Sequence, residues 1–407
     1  DLNNHPLAHL MASVPGLLRS GGAIEAFWYA TSPPDGSPWR ARFEVEGEHF
    51  VDASAWPARA VAASIARDAR AHVAVDLNGY TKGARTEVFA LRPAPVQAAY
   101  MGFPDTLGAR AFIPWLITDA LASPAACEAW YGEALARLPR CYFVNDYAAA
   151  SPELLVGDWT DGGAGKGGIP PPPSHLPPPV AAAAAALPRP TRSALGLPPR
   201  PACVFASPNQ LYKIDPPTLS AWARILARVP GSVLWLLRFP PAGEARLQAA
   251  LAASGTGVDP ARLVFTDVAP KADHLRRCGL ADVILDTPLV NAHTTACDVL
   301  WAGVPLVTLP GARMASRVGA SLAAATGCGA EMIASSWADY EDKAVALGLD
   351  TGGCRARLAA RLRAARLTCP LFDTAGWVRD FERLLGRLWS EHERGAEPTS
   401  FELEAAG

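Results

Sequence analysis

Short apolar runs alternate along the first part of the chain with longer stretches that have helical spacing. Apolar runs that predict buried strands lie at residues 27–29, 72–77, 96–101 and 115–117. Helical spacing of apolar positions is found at residues 9–18 and 58–69. Strands that alternate with helices are typical of a parallel sheet covered by helices, so we predict an α/β lobe here.

The same alternation is more regular in the second part of the chain. Six apolar runs predict strands at 203–206, 233–237, 263–265, 283–285, 306–309 and 332–334. Six amphipathic segments predict the intervening helices at 216–229, 244–253, 271–279, 294–302, 316–326 and 337–347. Such repeats predict a doubly wound sheet, and ligands of these sheets bind beyond the carboxyl ends of the strands.

We therefore expect two lobes and three smaller segments. The boundaries that we predict are 1–150 for the N-terminal lobe, 151–200 for a linker or reduced insertion, 201–370 for the C-terminal lobe, 371–393 for a closing helix and 394–407 for a frayed tail. The linker is rich in Pro, Gly and Ala, and proline runs favour extended backbone over a packed core. Because the chain opens on a loop that leads into a helix, we also expect the first strand of the N-terminal lobe to be missing.

Composition narrows the class of protein. The 407 residues are 50% hydrophobic and carry a formal net charge of −2, which favours neither nucleic acid nor an anionic membrane as a partner. No apolar run approaches the roughly 20 residues that span a bilayer. The eight cysteines form no CxxC pair, and no histidine cluster has the spacing of a zinc site. We expect mostly buried thiols, no metal, and a protein of the cytoplasm and nucleus.

Polar clusters follow four of the predicted strands of the second lobe. They contain Asn209, Gln210, Tyr212 and Lys213 in the first, Ala269, Lys271, His274 and Arg277 in the second, residues 286–303 in the third, and residues 309–317 in the fourth. The carboxyl ends of parallel strands share one edge of a sheet, so these clusters predict a single binding cleft.

The third cluster suggests an anion site. His293, Thr294 and Thr295 directly precede a predicted helix, and helix N-termini bind phosphate through free N–H groups and a partial positive charge. Asp298, one turn later, has the chemistry to accept hydrogen bonds from ribose hydroxyls. Ordinary threonine capping of the helix is the alternative. No GxGxxG follows any of the predicted strands, and GxxxxGK[ST] is absent, so lysine, threonine and the helix end are expected to meet the phosphate charge.

The first lobe has its own candidates. His5 lies in a Pro-adjacent loop and is either a site residue or a solvated loop histidine. Asp68 lies four residues before the predicted strand 72–77, and His72 begins that strand. Residues 78–85 follow its end. Gly102 and Pro104 belong to a Gly/Pro turn after the next strand, which suits close approach of backbone to a ligand.

These motifs resemble those of a known family. The stretches that carry the resemblance are DLNGYTKGARTEVFALRPAPVQAAYMGFPDTLGA, NQLYKIDPPTLSAWARILARVPGSVLWLLRFP, VAPKADHLRR and DTPLVNAHTTACDVLWAGVPLVTLPG. They are similar to the catalytic region of the protein O-GlcNAc transferases, the family of the SPINDLY and SECRET AGENT proteins. The resemblance covers nearly all of the chain except residues 151–200 and the last dozen residues.

The resemblance implies a GT-B fold, with two Rossmann-like lobes that face a cleft. It implies inverting transfer of N-acetylglucosamine from UDP-GlcNAc to Ser or Thr hydroxyls of nuclear and cytoplasmic proteins, without a metal or other cofactor. The residues it implies are Lys213 at the diphosphate, Gln210, Tyr212, Ala269, Lys271, His274 and Arg277 around the uridine, His293, Thr294, Thr295 and Asp298 at phosphate and ribose, and His5, Asp68, His72, Gly102 and Pro104 at the sugar and acceptor.

The chain departs from the family pattern in a few places. It contains no tetratricopeptide repeats, which precede the catalytic region in this family and recruit protein substrates. Its insertion between the lobes is short, and Ala292 stands where the family usually has glycine.

The resemblance leaves the base and the donor open. Candidates for the base that deprotonates the acceptor are His5, the Asp68–His72 pair and a phosphate oxygen of the donor. The functional alternatives are a protein O-fucosyltransferase that uses GDP-fucose and a non-catalytic scaffold that binds sugar nucleotides or proteins.

Overall fold

The computed structural model describes residues 1–155 and 190–405. The chain divides into two compact units, the first made of Asp1–Asp146 and Pro370–Gly407 and the second of Tyr147–Cys369. The first unit therefore combines both ends of the chain, whereas we predicted a lobe that ends at residue 150. Most of the predicted linker lies outside the described residues.

The amino-terminal part of the first unit contains six strands and five helices. The strands are β1 (Phe27–Ala30), β2 (His49–Asp52), β3 (Val73–Asp76), β4 (Val96–Ala99), β5 (Trp115–Asp119) and β6 (Ala134–Leu138). The helices are α1 (Pro6–Leu10), α2 (Val14–Gly21), α3 (Pro38–Glu46), α4 (Ala58–Arg67) and α5 (Thr86–Ala90).

All strand pairs of this unit are parallel. Strands β3 to β6 lie side by side in chain order, and β1 pairs with β2 in a separate two-stranded sheet. Every residue of β4, β5 and β6 is buried, as expected for a parallel sheet covered on both faces. The helix predicted at 9–18 is two helices, because Pro15 fits only the first turn of a helix and α2 begins at Val14.

The second unit contains five strands and nine helices among the described residues. The strands are β7 (Val204–Ser207), β8 (Val233–Leu237), β9 (Leu263–Thr266), β10 (Val283–Leu285) and β11 (Leu306–Val307). The helices are α6 (Tyr147–Ala150), α7 (Pro216–Arg228), α8 (Gly243–Ala252), α9 (Lys271–Cys278), α10 (Thr294–Trp301), α11 (Val318–Ala325), α12 (Gly329–Met332), α13 (Trp337–Leu349) and α14 (Cys354–Ala365).

The sheet of the second unit is parallel and doubly wound. Its strand order is β11-β10-β7-β8-β9, so the order reverses between β7 and β10. Ligands of such sheets bind outside the carboxyl ends of the strands at this reversal. The sixth strand, predicted at 332–334, is absent from the sheet. The helical turn α12 takes up Met332, and only Ile333 makes an isolated bridge to Thr308.

The carboxyl-terminal segment completes the first unit. Helix α15 (Thr374–Glu393) is followed by strand β12 (Phe401–Glu402), which pairs in parallel with β6. The prediction of a frayed tail was wrong here, because β12 gains a ladder partner and Phe401 lies under the Arg387 guanidinium at 3.9 Å. No helix within the described residues has the length and apolar character needed to cross a bilayer.

Candidate functional site

Lys213 lies in a short 3-10 turn directly after β7, at the reversal of strand order. Its Nζ atom donates to the carbonyl oxygen of Asn291 at 2.8 Å and lies 3.5 Å from Oδ1 of Asn209. Both partners are neutral acceptors. Burial lowers the pKa of Lys213, and the negative charge of Asp286 opposes that shift. The ammonium group is thus fixed in place with a charge that these hydrogen-bond partners do not neutralise.

The loop that follows β10 faces this lysine. Asp286 accepts hydrogen bonds from the backbone N–H groups of Thr287 at 2.8 Å and Ala292 at 2.7 Å. Its other oxygen accepts from the Thr308 hydroxyl at 2.7 Å. Burial raises the pKa of Asp286 to about 6. Residues 287–292 form a closed loop that leads into α10.

The start of α10 has no side-chain cap. His293 occupies the N-cap position without a capping hydrogen bond, and Thr294 and Thr295 are the first two helical residues. Neither threonine is the cap, so capping does not explain them. The His293 Nε2 atom lies 3.0 Å from the Ala315 carbonyl oxygen. Burial and the nearby Lys213 charge lower the pKa of His293 to about 4, so this imidazole is neutral at pH 7.

Asp298 is the centre of a buried polar cluster. The Tyr147 hydroxyl and the Lys271 ammonium both donate to its Oδ1 atom, and the His274 Nε2 atom lies 3.3 Å from Oδ2. Burial alone would raise the pKa of Asp298, but Lys271 and His274 lower it to about 2. The residue predicted to contact ribose is therefore an ionised carboxylate held by two cations.

A small apolar pocket lies beside His274 and Arg277. Its lining residues are Ala206, Pro208, Trp235, Leu236, Leu237, His274, Arg277, Cys278, Ala281, Ile284 and Val299. Arg277 is only 7% exposed, and it donates to the Asp267 carbonyl oxygen at 2.9 Å. Its Nε and Nη2 atoms have no hydrogen-bond partner in the described part of the chain. Buried donors of this kind suit a planar ligand group that carries acceptors.

Three other predicted residues of this unit lie nearer the surface. Gln210 and Ala269 are half-buried, and Tyr212 is 69% exposed. All three belong to connections that follow strands at the carboxyl edge of the sheet, after β7 for Gln210 and Tyr212 and after β9 for Ala269. Their predicted contacts with a ligand stay predictions.

The carboxyl edge of the first unit's sheet brings together His5, Asn78 and Gly102. His5 caps α1 by accepting from the Leu7 N–H, and its Nε2 atom lies 3.8 Å from Asp1. The same Asp1 carboxylate accepts from the Asn78 side chain at 2.7 Å. A Cβ atom on Gly102 would lie 2.2 Å from the Leu77 carbonyl oxygen, so only glycine fits there. Pro104 follows in the same loop and is half-buried.

The structure places Asp68 and His72 elsewhere. Asp68 ends α4, and His72 directly precedes β3, so both lie at the amino-terminal edge of the sheet. Asn78 and Gly102 follow the opposite, carboxyl ends of β3 and β4. Both predicted side chains are exposed, and the His72 ring packs against Trp389. The prediction that they join the other site residues is corrected, because ligands of parallel sheets bind at the carboxyl edge.

Three residues that take part in this arrangement were not named as site residues, although two of them, Asp286 and Asn291, lie in the third predicted cluster. Asn291 supplies the carbonyl oxygen that holds Lys213, Tyr147 binds Asp298, and Asp286 closes the loop between them. A carboxylate directly after an apolar strand is a signal that would have indicated Asp286. No local signal marks Tyr147, which lies 151 residues from Asp298 along the chain.

Known proteins define the class of this fold. The Anabaena protein HepE, solved in complex with UDP and glucose, matches 95% of this chain and 98% of its own with a TM-score of 0.54. At 12% identity this match shows a shared fold alone. The chain has the GT-B fold, an α/β architecture of Rossmann-like units.

The family follows from the sequence. The model of glycosyl transferase family 41 matches residues 1–157 and 182–381, and the chain belongs to that family. The chain is 47% identical over 403 residues to the probable UDP-N-acetylglucosamine–peptide N-acetylglucosaminyltransferase SEC of Arabidopsis thaliana, covering 99% of this chain and 38% of that protein. It is 36% identical to the Caenorhabditis elegans UDP-N-acetylglucosamine–peptide N-acetylglucosaminyltransferase, covering 97% and 40%.

A solved structure agrees with these relatives. A mutant of the Thermobaculum terrenum O-GlcNAc transferase matches 98% of this chain and 67% of its own, with a TM-score of 0.77 and 28% identity. The resemblance to O-GlcNAc transferases inferred from the motifs is confirmed. The chain spans about two fifths of the length of these two curated relatives.

Proposed function

We propose that this chain is the catalytic region of a glycosyltransferase that moves N-acetylglucosamine from UDP-GlcNAc to Ser or Thr hydroxyls of proteins. The observation that carries the proposal is the position of Lys213. Its ammonium group is fixed at the reversal of strand order, beside the uncapped start of α10. A diphosphate matches this combination of a lysine charge and free helical N–H groups.

The reaction needs negative charge to be stabilised on the departing UDP. The acceptor oxygen forms a bond to the anomeric carbon of the sugar, and the bond from that carbon to the diphosphate oxygen breaks with both electrons on UDP. Lys213 and the N–H groups at the start of α10 stabilise those electrons. The charge is met by groups of the chain itself, and we propose that no divalent metal is needed. Turnover that persists in the presence of EDTA supports this part of the proposal.

The acceptor hydroxyl must also lose a proton. Of the three predicted candidates for the base, we keep His5 and a phosphate oxygen of the donor. The third, the Asp68–His72 pair, lies at the opposite edge of its sheet. Burial lowers the pKa of His5, so its imidazole is neutral at pH 7 and able to accept a proton. We assign the uridine of UDP-GlcNAc to the pocket beside His274 and Arg277. The buried N–H groups of Arg277 suit the hydrogen-bond acceptors of a uracil ring.

Transfer of radiolabelled sugar to a Ser/Thr peptide tests the proposal. UDP-GlcNAc is expected to be a donor for the wild type, and Lys213→Ala is expected to lower turnover by about 100- to 1000-fold, the usual effect of removing one group that stabilises transition-state charge. The matched control is Lys343→Ala, which removes a lysine paired with Asp339 on α13. That variant is expected to keep wild-type turnover.

Three results would contradict the proposal. Near-normal turnover of Lys213→Ala would remove the role of this lysine. Transfer from GDP-fucose but not from UDP-GlcNAc would identify a fucosyltransferase instead. Binding of UDP without transfer from either donor would indicate a non-catalytic sugar-nucleotide scaffold.

A further inference from the structure

Asp286 is completely buried at the carboxyl end of β10, and its three side-chain hydrogen bonds all come from neutral donors. Two of these hydrogen bonds, from Thr287 N–H and Ala292 N–H, end on the same oxygen, and the third comes from the Thr308 hydroxyl. An asparagine can keep all three, because its Oδ1 atom accepts from both N–H groups and its NH2 group can donate to the hydroxyl oxygen, whereas an alanine keeps none. Burial of a charge costs free energy, so packing alone does not explain an aspartate at this position.

The hydrogen bonds of Asp286 give the following loop its shape. Thr287 and Ala292 lie five positions apart, and because both donate to the same oxygen they close residues 287–292 into a loop. Asn291 reinforces it, since its side chain donates to the Thr287 carbonyl oxygen at 3.1 Å and accepts from the Gly319 N–H at 3.0 Å. The closed loop directs the Asn291 carbonyl oxygen to the Lys213 Nζ atom at 2.8 Å.

The surroundings hold Asp286 in one position. Its backbone carbonyl oxygen accepts from the Tyr340 hydroxyl at 2.8 Å, and that hydroxyl accepts from Trp222 Nε1 at 3.0 Å. A Cβ atom on Gly319 would lie 2.4 Å from the Asp286 carboxylate, so helix α11 approaches as closely as glycine permits. Two helices therefore fix the residue that shapes the loop.

We infer that Asp286 is the positioning residue of the anion site: it closes the 287–292 loop and thereby sets Lys213 and the start of α10 in the geometry that binds a diphosphate. Asp286 itself does not touch the ligand. The inference rests on the proposed function for the identity of the anion, UDP, but not for the closure of the loop.

Two buried aspartates at opposite ends of one strand allow a matched experiment. Asp286 follows β10, whereas Asp282 precedes it and pairs with Arg192 at 2.6 Å and Arg200 at 2.9 Å. Asp286→Ala and Asp282→Ala each remove a buried carboxylate and its acceptor oxygens. Calorimetric titration with UDP and hydrogen–deuterium exchange of the 287–292 amides are measured for the full chain and both variants, well below the melting temperature of each.

Asp286→Ala is expected to weaken UDP binding by about 10- to 100-fold, the scale of a misplaced binding group, and to speed amide exchange in 287–292. Asp282→Ala is expected to lower the melting temperature without either effect. A second variant, Asn291→Ala, keeps the charge of Asp286 but loosens the loop, and it is expected to weaken UDP binding as well.

Other outcomes would overturn one inference or the other. Equal weakening of UDP binding by both aspartate variants would show general destabilisation, and unchanged exchange in Asp286→Ala would show that the loop does not depend on this residue. Unchanged affinity in Asn291→Ala would leave only an effect of charge and would contradict positioning by loop closure. If the wild type does not bind UDP but Asp286→Ala still loosens 287–292, the proposed function is wrong and the role of Asp286 in the loop stands.

Discussion

Single residues of the second unit derive their properties from partners that are remote in sequence. Lys213 is held by Asn291, which lies 78 positions away, and Asp298 is bound by Tyr147, His274 and Lys271. The sequence indicated Lys213 and Thr294 because strand ends and helix starts can be read from local patterns. It did not indicate Tyr147, because a tyrosine in a short helix has no local feature that names its partner.

At this scale the Asp298 cluster has a measurable dependence on pH. Burial alone would lower the pKa of His274, but Cys278 and Asp298 raise it to about 10, above the ordinary value of 6.5. The folded protein therefore keeps this proton at a pH where the unfolded chain has lost it. The stability from this proton is complete below pH 6.5 and is lost as pH rises toward about 10.

We therefore expect the melting temperature of the wild type to fall more steeply from neutral pH to about pH 10 than that of His274→Gln. A difference of about 1 kcal/mol in the free energy of unfolding corresponds to a shift of roughly 2–4 °C in the melting temperature for a unit of this size. Circular dichroism melting at a series of pH values measures it. His392→Gln changes an exposed histidine on α15 and is expected to follow the wild type. Parallel curves for wild type and His274→Gln would contradict the prediction.

At the scale of elements, burial decides which strands the sequence predicts well. Strands β7 and β8 are buried on both faces and therefore read as continuous apolar runs, so their predicted and observed bounds differ by no more than a residue. Strand β2 (HFVD) is short and half-exposed, and β6 (ALARL) contains Arg137, so neither has that pattern. Strand β6 is nevertheless buried, because Arg137 donates to the Ser123 carbonyl oxygen and pairs with Glu128.

Loops are the elements whose conformation the sequence predicts least. The Gly/Pro turn after β4 is held by Glu133, a buried carboxylate that precedes β6. It accepts from the Thr106 hydroxyl at 2.6 Å and from the N–H groups of Leu107 at 3.1 Å and Ala109 at 3.0 Å. The turn that contains Gly102 and Pro104 thus leads directly into residues 106–109, which are fixed by Glu133, a residue some thirty positions later in the chain.

Glu133→Ala is expected to lower the free energy of unfolding by about 2–3 kcal/mol or more, because it leaves buried donors without a charged acceptor. The midpoint of urea denaturation measures the loss. Glu128→Ala provides the control, since Glu128 pairs with Arg137 and its side chain is 41% exposed. Its ion pair is expected to contribute less than about 1 kcal/mol. Equal losses in the two variants would contradict the role of Glu133.

At the scale of the whole molecule, the chain leaves the first unit at Asp146 and returns to it at Pro370. On its return, Asn145 donates to the Leu371 carbonyl oxygen at 2.6 Å and Arg140 pairs with Asp380 at 2.6 Å. The aromatic positions of residues 371–393 predicted the helix but not its partner. A pattern of apolar spacing shows which face of a helix is buried and carries no information on which distant element covers it.

Trp377 is the residue through which this return stabilises the first unit. It is 6% exposed, its Nε1 atom donates to the Tyr142 carbonyl oxygen at 3.1 Å, and its ring stacks on Phe381 with centroids 4.7 Å apart. Removal of a buried aromatic side chain typically costs about 3–5 kcal/mol. Trp377→Ala is therefore expected to speed hydrogen exchange in β4, β5 and β6, although these strands lie more than two hundred positions earlier in the sequence.

The second unit provides the matched control for this prediction. Trp222 is fully buried on α7 and donates to Tyr340, so Trp222→Ala removes a comparable side chain from the other unit. Its effect on exchange is expected in β7, β8 and β10, with β4 to β6 left at wild-type rates. If Trp377→Ala leaves β4 to β6 unchanged, or speeds exchange in β7, β8 and β10 instead, the carboxyl-terminal helix does not hold the first unit together as its contacts indicate. Faster exchange in β4 to β6 for Trp377→Ala, and in β7, β8 and β10 for Trp222→Ala, is what a first unit built from both ends of the chain requires. The stability of that unit depends on residues that follow the whole second unit in the sequence.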